Sequence, residues 1–544
     1  MDPATKPTTA PAATPATNTP APNPATAAPA PTREPEAALQ RALEFERQRN
    51  WMAAITAYED ALDLWPDRTE FRHRLRLCEI HYKLARRYQD HSFRTSLLSL
   101  PEEKALELFD EVLERIQTHY VDAVGLDPLL RHGLDNLEVA LRDPTFLRVN
   151  VNQAPAERVK WLRDQYRRQR DGVLAHDRAG ARAQVLVACQ RGQQGLGLRA
   201  TPVILEFVYG TCDALDDYSS YLTPDRLDDL YAMIDGNFVG LGVELKLDNE
   251  GLRLVNVIRG GPASEAGLKM GDRITHVGDA AVRGLGLDEA AGRLQGAADT
   301  SIAITILHSN GTSQRYVLTR RPVEVESVAQ ARIVEPTLGI GYVQLTGFQK
   351  SSAEELDRAI ASLQSKGMRY LVLDVRGNPG GLLNVAVEIA DRFLDSGVIV
   401  STRGRAAGQS YVYRARADAS WRMPMAILID HDSASASEIL AGALKDHNRA
   451  LVVGQRSYGK GSVQSIYSLR SAPAGLKLTT AKFYSPQNRP YSEQGVEPDV
   501  LVRLAARPTS ADDPEPLAEF GDPGHDTVLT KAIEAARRQL TSFR

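Results

Sequence analysis

The sequence predicts a multidomain protein of mixed α/β and α class, with a helical N-terminal region, a smaller β-rich domain and an α/β core. Three observations support this fold class. Helical periodicity dominates the chain up to about residue 234, short β-type runs begin at Val239, and strands alternate with helices from Thr337 onward. Such alternation is typical of a sheet covered by helices. The 544 residues are enough for roughly three to four domains.

The composition is that of an ordinary globular protein, with 43% hydrophobic and 25% charged residues. A formal charge of -4 and a pI near 6.3 give no indication that the whole chain binds nucleic acid. Cys78, Cys189 and Cys212 imply no disulfide framework and lack the spacing of a zinc or redox motif. No apolar run approaches the ~18 residues of a membrane span, and no export signal is visible at the N-terminus. These features favour a soluble protein.

Residues 1–35 are expected to form a disordered tail, because positions 1–32 hold 9 Pro, 10 Ala and 8 Thr. Such a segment cannot bury enough apolar surface to offset the chain entropy lost on folding. Residues 36–95 have helical periodicity, and Ala54, Tyr58 and Ala61 have the spacing of the second helix of a tetratricopeptide repeat. No second copy follows, so an ordinary amphipathic helical hairpin is the alternative interpretation.

Residues 96–238 are predicted to be helical, with helices over 103–141 and 201–234 and a basic insert at 142–199. The insert contains 11 Arg and one Lys against five acidic residues, a net charge of +7. Its segment 161–170 fits a basic amphipathic helix that faces an acidic partner or lipid, or a helix with a solvated face. We expect the insert and the N-terminal helices to serve partner binding or self-association rather than chemistry.

Hydrophobic periodicity also predicts the secondary structure of the remaining chain. In the β-rich domain, strands are expected at 242–246, 252–257, 273–277, 301–307 and 313–318. In the core, strands at 338–345, 369–375, 425–430 and 450–454 alternate with helices at 352–365, 382–394 and 436–446. A final helix is expected at 526–540.

Three serines, Ser433, Ser435 and Ser437, follow a buried strand and precede an Ala-rich helix. A serine at a strand-to-helix junction lies where backbone N–H groups and the positive end of the helix stabilise an oxyanion. The alternative is that these serines only cap the helix, because Glu438 follows at a distance that is typical of a capping box.

Two glycine-rich segments add to this pattern. Lys460 lies between Gly459 and Gly461, and its ammonium becomes a general base only if burial lowers its pKa toward neutrality. Otherwise it is a solvated loop lysine, and the segment lacks the pattern of a phosphate-binding loop. The turn at 377–381 follows a buried strand and is suited to present backbone N–H groups to a developing negative charge.

Together these motifs resemble those of the carboxy-terminal processing peptidases, also called tail-specific proteases. The resemblance runs from about residue 101 to residue 504, interrupted by the basic insert. It rests on eight motifs in the same order, at 217–222, 240–243, 261–268, 339–343, 374–381, 433–438, 459–464 and 495–499. Chance agreement across so many ordered motifs is negligible. The N-terminal helices and the insert lie outside the usual family pattern.

The resemblance implies a Ser–Lys catalytic dyad. Ser435 is then the nucleophile, Lys460 the general base and Gln464 the residue that orients the lysine. Direct contact between Lys460 and Gln464 requires a bend in the chain, because positions four apart in an extended strand are separated by about 13 Å. Asp446 matches a further acid position of the family, with a supporting role only.

The resemblance also implies an oxyanion hole built from backbone N–H groups. One donor is the N–H of Ala436, and the other is the N–H of Gly380 or of Gly381. Neither a metal nor an organic cofactor is implied. A Ser–His–Asp arrangement with His447 or His431 is disfavoured, because His447 ends the helix that begins beside the nucleophile, and that helix spans about 15 Å.

Residues 239–320 resemble a PDZ domain. Within it, Gly240, Leu241, Gly242 and Val243 match the loop whose backbone N–H groups bind the C-terminal carboxylate of a peptide. The strand after this loop would pair with the peptide as an added strand. The alternative is a simple turn into a strand. We also expect the domain to gate the active site, either by inhibiting or by activating it.

These assignments predict six segments along the chain. They are a tail at 1–35, tetratricopeptide-like helices at 36–95, the helical part of the peptidase region with its insert at 96–238, a PDZ domain at 239–320, an α/β peptidase core similar to the crotonase-like fold at 321–505, and a C-terminal tail and helix at 506–544.

The function implied by the resemblance is that of a serine endopeptidase. It recognises the C-termini of protein or peptide substrates through the PDZ domain and cleaves by the Ser–Lys dyad. Two alternatives remain, a catalytically inactive PDZ scaffold that binds C-termini and an acyl-CoA enzyme on the crotonase-like fold. Family members usually act outside the cytoplasm, so the resemblance implies a location in the periplasm or cell envelope.

Overall fold

The computed structural model describes residues 34–248, 250–283, 287–296, 298–416, 421–503 and 520–542. The tail expected at 1–35 lies outside these residues except for its last two positions, and the expected C-terminal tail lies outside them up to residue 519. The chain divides into two compact units, one ending at Arg86 and the other beginning at Arg87. In the described part, no helix is both long and apolar enough to cross a membrane.

The α-helices of the described residues are α1 (Pro35–Arg47), α2 (Trp51–Leu64), α3 (Thr69–Gln89), α4 (Glu102–His119), α5 (Leu126–Ala140), α6 (Pro144–Asn150), α7 (Ala156–Asp171), α8 (Arg178–Leu196), α9 (Ala200–Asp213), α10 (Pro224–Asp235), α11 (Pro262–Glu265), α12 (Leu287–Gly292), α13 (Ser352–Ser365), α14 (Leu383–Asp391), α15 (Ala436–Asp446) and α16 (Thr527–Ser542). A π-helical turn, Phe93–Leu97, lies between α3 and α4. The helix predicted over 103–141 is two helices, because the N–H of Val121 donates to Thr479 O instead of continuing the helical pattern.

The strands of the described residues are β1 (Ser220–Leu222), β2 (Asn237–Gly240), β3 (Val243–Asp248), β4 (Gly251–Val257), β5 (Arg273–Val277), β6 (Ala280–Ala281), β7 (Ser301–Leu307), β8 (Ser313–Thr319), β9 (Arg321–Glu324), β10 (Val328–Glu335), β11 (Ile340–Leu345), β12 (Tyr370–Asp374), β13 (Val398–Gly404), β14 (Tyr411–Arg414), β15 (Met425–Ile429), β16 (Leu451–Gly454), β17 (Ser462–Ser468), β18 (Gly475–Tyr484) and β19 (Val500–Leu501). Every strand predicted from periodicity has a counterpart within one or two residues. The helix predicted over 201–234 is instead α9, β1 and α10.

The first unit is formed by α1, α2 and most of α3. The residues with repeat-like spacing, Ala54, Tyr58 and Ala61, are buried in its core together with Phe71. Tyr58 also donates a hydrogen bond from its hydroxyl to Glu46 at 2.6 Å. The spacing that resembles a tetratricopeptide repeat therefore marks positions that pack this helical unit.

The basic insert folds as α6, α7 and α8, of which α7 and α8 pack against α5. Arg142, Arg163 and Arg167 all form ion pairs with Glu138 of α5. Burial raises the pKa of Glu138, but hydrogen bonds from these arginines outweigh burial and lower the pKa to about 2. Other arginines of the insert pair with carboxylates of α4 and α5, namely Arg170, Arg178 and Arg182. Much of the positive charge of the insert is therefore compensated inside its own unit.

The segment that resembles a PDZ domain contains a sheet with the order β3-β4-β5-β7-β8, and β6 pairs with β5. The apolar residues of these strands form a core of their own, which includes Leu252, Ile274 and Ile304. Strands β2 and β9 pair antiparallel. Because these two strands lie at the two ends of the segment, the chain enters and leaves it at one place.

The α/β core is built on a six-stranded sheet with the order β10-β11-β12-β15-β16-β19. The strands from β11 to β19 are parallel to their neighbours, and β10 is antiparallel to β11. Leu371 and Leu373 of β12 pack with residues of α13, α14 and α15, whereas Tyr370 and Val372 pack with α16. Because helices cover both faces, the central strands are continuous apolar runs.

An antiparallel sheet has the order β1-β18-β13-β14, and β17 also pairs with β18. Its register places Ser220 opposite Lys477 and Gln464 opposite Thr479. Strands β13, β14, β17 and β18 were not predicted, because polar residues interrupt their apolar pattern. The pairs β13–β14 and β17–β18 are joined by short connections, whereas β18 pairs with β1 and β13 across long stretches of sequence. Since β1 and β17 both pair with β18, this sheet brings the 217–222 motif to the turn that carries Lys460.

Candidate active site

Ser435 lies at the junction between β15 and α15. Its φ of 58° and ψ of -110° are uncommon for a residue with a side chain and indicate local backbone strain. Ser433 Oγ donates to Val375 O at 2.8 Å, and Ser437 Oγ donates to Asn378 O at 2.9 Å. Ser435 forms a capping box with Glu438 at the start of α15, as the capping interpretation predicts. Unlike Ser433 and Ser437, however, Ser435 Oγ donates no hydrogen bond to a backbone carbonyl among the described residues.

The turn at 377–381 lies directly against Ser435. A Cβ atom added to Gly380 would lie 2.9 Å from Ser435 Cβ and 2.9 Å from Ala436 N, so only glycine fits this close approach. The N–H of Gly380 donates to Asn378 Oδ1 at 2.9 Å. Within the described ranges, the N–H groups of Gly381 and Ala436 have no acceptor. Of the two glycines expected at the oxyanion hole, Gly381 is thus the one whose N–H is not already bonded.

Lys460 follows Gly459, whose φ of 93° turns the chain close to the backbone of Glu493. The side chain is partly buried, and Nζ lies 4.7 Å from the centre of the Tyr218 ring. Burial and, secondarily, the positive charge of Lys477 lower the pKa of Lys460 below the 10.5 that is usual for lysine, although Glu438 and Asp216 act in the opposite direction. This lysine therefore loses its proton at a lower pH than an ordinary surface lysine.

The buried carboxylate of Glu438 joins Ser435 to the lysine turn. Its Oε2 atom accepts hydrogen bonds from the backbone N–H groups of Ser435 at 2.7 Å and Lys460 at 2.9 Å. The Oε1 atom accepts from Gly459 N at 2.7 Å and from Ser457 Oγ at 2.6 Å. Burial raises the pKa of Glu438, and these hydrogen bonds offset part of that rise. The Glu438 carboxylate thus fixes the backbone at Ser435 relative to the turn that carries Lys460.

Sequence reasoning interpreted Glu438 only as a helix-capping residue. A signal for its larger role was nonetheless present, because a glutamate on the buried side of an apolar helix needs several hydrogen-bond donors. Tyr218 belongs to the 217–222 motif, but the motif assigns it no role of its own. Its place beside Lys460 could not be predicted from local spacing.

Gln464 and Asp446 have no hydrogen bond with Lys460 or Ser435 in the part of the chain that the structure describes. Gln464 Nε2 donates to Ser462 Oγ at 2.9 Å and to Thr479 Oγ1 at 3.3 Å. Asp446 lies at the far end of α15, where it forms an ion pair with Arg489 and accepts a hydrogen bond from Gln487 N–H at 3.1 Å. Asp446 therefore holds the loop that follows β18.

Neither candidate histidine is hydrogen-bonded to Ser435. His447 donates from its ring to Val398 O at 2.8 Å and packs against Gly397. His431 is exposed and lies 3.4 Å from Asp432. The geometry thus contains no Ser–His–Asp arrangement around Ser435 within the described residues.

The loop at 240–243 precedes the edge strand β3. Leu241 O accepts a hydrogen bond from Ala263 N–H at 2.9 Å, and Gly242 O accepts one from Ile258 N–H at 2.9 Å. Gly242 has a φ of 76°, and an added Cβ would lie 3.1 Å from Gly261 Cα. These contacts hold a tight loop at the start of a strand that has β4 on one side only within the described sheet.

The segment 347–350 connects the β-rich domain with the turn beside Ser435. Lys350 forms an ion pair with Asp235 at the end of α10, and its N–H donates to Ile234 O at 3.3 Å. Phe348 N–H donates to Gly380 O at 3.1 Å. A continuous series of contacts therefore runs from α10, which leads into the β-rich domain, to the candidate oxyanion turn.

Comparison with known proteins places this geometry in context. Residues 339–502 match the family model described as peptidase family S41, and residues 253–307 match a PDZ domain model. The chain is 37% identical over 300 residues to a carboxy-terminal-processing protease of Bartonella bacilliformis, covering 54% of this chain and 68% of that protein. It is 34% identical over 307 residues to a carboxyl-terminal-processing protease of Synechocystis sp., covering 56% of this chain and 71% of that protein. Among solved structures it is similar to a photosystem II D1 C-terminal processing protease, with 26% identity, a TM-score of 0.40, and coverage of 75% of this chain and 95% of that one.

Proposed function

Because the chain belongs to the carboxy-terminal processing serine proteases of peptidase family S41 and carries a PDZ domain, we propose that it cleaves peptide bonds with Ser435 as nucleophile and Lys460 as general base. The observation that carries this proposal is the pair of hydrogen bonds from Ser435 N–H and Lys460 N–H to the one buried carboxylate of Glu438. This arrangement favours an active enzyme over an inactive PDZ scaffold.

In the proposed reaction, the neutral Nζ of Lys460 accepts the proton of Ser435 Oγ as the oxygen attacks the carbonyl carbon of the scissile bond. The developing oxyanion accepts hydrogen bonds from the N–H groups of Ala436 and Gly381. Lys460 then donates the proton to the leaving amine, which departs and leaves an acyl group on Ser435. A water molecule, deprotonated by Lys460, hydrolyses this ester and releases the new C-terminus.

No hydrogen bond joins Lys460 Nζ to Ser435 Oγ among the described residues, so the proposal includes an approach of Nζ from the Tyr218 ring to Ser435 Oγ before proton transfer. Catalytic hydrogen bonds often form only once substrate is bound, so their absence here is compatible with the dyad. We assign Gln464 to orient the lysine, since Gln464 Oε1 accepts no hydrogen bond among the described residues and suits an ammonium donor. Asp446 acts indirectly in this proposal, by holding α15 against the 485–489 loop.

Substrate selection is assigned to the PDZ domain. A C-terminal carboxylate would accept hydrogen bonds from the backbone N–H groups of the loop formed by Gly240, Leu241, Gly242 and Val243, and the peptide would pair with the outer edge of β3. We assign 239–320 to this domain and 321–505 to a core with a crotonase-like arrangement. By likeness to the family, a site of action in the periplasm or cell envelope is part of the proposal.

The N-terminal helices are proposed to mediate self-association or adaptor binding, because a single repeat-like unit does not form the stacked array that stabilises such repeats. The basic insert is a weaker candidate, since many of its arginines pair inside the protein. A deletion ending at Arg86, the limit of the first compact unit, tests this role. Hydrolysis of short peptides should persist, while the mass in solution or the set of bound partners should change.

The principal experiment compares the wild-type protein with Ser435→Ala on an unfolded protein that has an apolar C-terminus. Mass spectrometry of the products should show internal cleavage by the wild type alone. The same substrate with an amidated C-terminus should be cleaved less efficiently. Equal cleavage by Ser435→Ala would overturn the assignment of the nucleophile, and acyl-CoA turnover without proteolysis would favour the alternative enzyme class.

A further inference from the structure

Tyr218 lies against the side chain of Lys460, which the proposed function makes the general base. Lys460 Nζ is 4.7 Å from the centre of the Tyr218 ring, within the range of a cation–π interaction. Lys460 Nζ makes no hydrogen bond with a described residue in this position. The ring face is therefore a principal partner of the ammonium group in the observed state.

Tyr218 is held firmly in this place. Its backbone N–H donates to Asp216 Oδ1 at 3.1 Å, and the next residue, Ser219, accepts a hydrogen bond at Oγ from Thr479 N–H at 3.1 Å. Burial, followed by a hydrogen bond with Tyr458, raises the pKa of the Tyr218 phenol to about 12, so the phenol is neutral at physiological pH. The backbone next to Tyr218 is thus fixed to β18 through Ser219, and the phenol contacts Tyr458 of the lysine turn.

The turn that carries Lys460 is fixed at the same point. Tyr458 lies two residues before Lys460, and its N–H donates to Ser433 O at 3.1 Å. The contact between Tyr218 and Tyr458 therefore joins the 217–222 motif to the lysine turn, which is itself bonded to Ser433.

The face of an aromatic ring attracts an ammonium ion but has no comparable attraction for a neutral amine. The charged form of Lys460 is accordingly stabilised on the ring, whereas the neutral form is the one that accepts a proton from Ser435. The other titratable groups that influence Lys460 are Lys477 on β18, Glu438 on α15 and Asp216 before β1. None of these three side chains forms a hydrogen bond or ion pair with Lys460 Nζ among the described residues.

We propose that Tyr218 is a positioning residue whose ring face holds the Lys460 ammonium in the resting enzyme, and that loss of the proton releases the side chain toward Ser435. This inference rests on the proposed function. Deprotonation of Lys460 and its movement toward Ser435 are then coupled, because the neutral amine is not attracted to the ring face.

The test measures the pKa of Lys460 independently of turnover. In the full-length Ser435→Ala protein, the pH dependence of Lys460 modification by a lysine-selective reagent is followed by mass spectrometry. Tyr218→Leu removes the ring, and Tyr218→Phe keeps the ring while removing the hydroxyl. Tyr411→Leu, at an exposed tyrosine of β14, is the matched control.

We expect Tyr218→Leu to lower the pKa of Lys460 by about half a pH unit, because the contribution of a cation–π contact has been lost. Tyr218→Phe and Tyr411→Leu should retain the wild-type value. In the active protein, the acid limb of kcat/KM should move to lower pH by the same amount. An unchanged or raised pKa in Tyr218→Leu, when Tyr218→Phe behaves as wild type, would overturn the inference.

If Tyr218→Leu does not fold, replacement of Tyr218 by pentafluorophenylalanine keeps the ring shape and reverses the charge distribution of its face. The pKa of Lys460 should then fall below that of Tyr218→Phe, and equal values would reject the inference. The proposed function is tested separately by Lys460→Ala. Retained activity in Lys460→Ala would reject the Ser–Lys dyad, independently of the pKa found by lysine modification.

Discussion

The backbone N–H of Lys460 donates a hydrogen bond of 2.9 Å to Oε2 of Glu438, which is buried on α15. The same oxygen accepts the N–H of Ser435 at 2.7 Å. The segments that carry the proposed nucleophile and base are therefore positioned by one side chain, although neither side chain of the dyad touches that carboxylate through its reactive atom. This relationship makes the geometry of the dyad depend on a buried carboxyl group that takes no direct part in the chemistry.

Glu438→Gln should abolish proteolysis and lower the free energy of unfolding by about 2–4 kcal/mol. The reason is that the amide nitrogen of glutamine cannot accept the hydrogen bonds that the corresponding carboxylate oxygen accepts. Glu355→Gln is a matched control, since Glu355 is a buried carboxylate that accepts hydrogen bonds from Ser327 and Val328 in the core. Kinetics and thermal unfolding should show a comparable loss of stability in both variants. The loss of kcat should occur in Glu438→Gln alone, and equal kcat in the two would contradict a positioning role.

Ser435→Ala should reduce kcat by at least about a thousandfold and cost at most about 1 kcal/mol of stability, because its hydroxyl donates no hydrogen bond to a described residue and only its part in the helix cap is lost. Ser437→Ala loses one buried hydrogen bond to a backbone carbonyl, and Ser433→Ala loses one to Val375 O together with the hydrogen bond that its hydroxyl accepts from Asp430 N–H. Each should lose about 1 kcal/mol of stability while retaining more activity than Ser435→Ala. Labelling with an active-site fluorophosphonate locates the nucleophile directly. An inactive Ser433→Ala beside an active Ser435→Ala would reverse the assignment.

Activity should rise with pH through a pKa below the usual 10.5 of lysine, because burial and Lys477 favour the neutral form of Lys460. The protein should therefore remain active at mildly alkaline pH. Lys460→Arg should be inactive, because a guanidinium group stays protonated. A pH profile of kcat/KM measures the acid limb. Full activity in Lys460→Arg would exclude Lys460 as the base.

The lowered pKa of Lys460 also has a consequence for stability. Between the folded-state pKa and the higher unfolded-state pKa, the unfolded chain binds more protons, so the contribution of this group to the free energy of unfolding increases with pH. Below the folded-state pKa, Lys460 is charged in both states, and the cost of burying its charge lowers the free energy of unfolding by its full amount. Lys460→Met should reduce this part of the pH dependence, which denaturant titrations at several pH values can measure.

Gly242→Val should raise KM for substrates with a free C-terminus, because a side chain at this position meets Gly261 and narrows the carboxylate loop. Gly267→Val is the matched control, since Gly267 also has a positive φ but an added Cβ meets nothing within 4 Å. Assays with free-acid and amidated versions of one substrate should show that Gly242→Val reduces the preference for the free acid. An equal preference in both variants would exclude carboxylate sensing by this loop.

Deletion of residues 239–320 distinguishes inhibition from activation by the PDZ domain. The ion pair between Lys350 and Asp235 and the hydrogen bond from Phe348 to Gly380 provide a route by which docking of the domain influences the oxyanion turn. Retained or increased cleavage of short peptides indicates an inhibitory resting position, and loss of cleavage in a folded protein indicates activation. Lys350→Ala, which breaks the ion pair alone, should change activity in the same direction as the deletion.

The central strands of the core could be predicted from sequence because their signal is local. Strands β11, β12 and β15 are buried on both faces, so each is a largely apolar run followed by a helical pattern. Strand β17 is mostly polar and only partly buried, and β18 pairs with β13 and β1, which lie far from it in the sequence. Their local pattern therefore contains little information about their partners.

By itself, the sequence determined the ordered motifs, because these depend on residue identity at short spacing, and the two residues proposed for the dyad followed from the resemblance of those motifs to the family. Only the tertiary structure decided that Ser433 and Ser437 are engaged in backbone hydrogen bonds, and that Gly381 rather than Gly380 has an unbonded N–H. It also decided that Lys460 rests on Tyr218. Hydrogen bonding, burial and ring contacts join groups far apart along the chain, and such pairings exist only once the sheets and helices have packed.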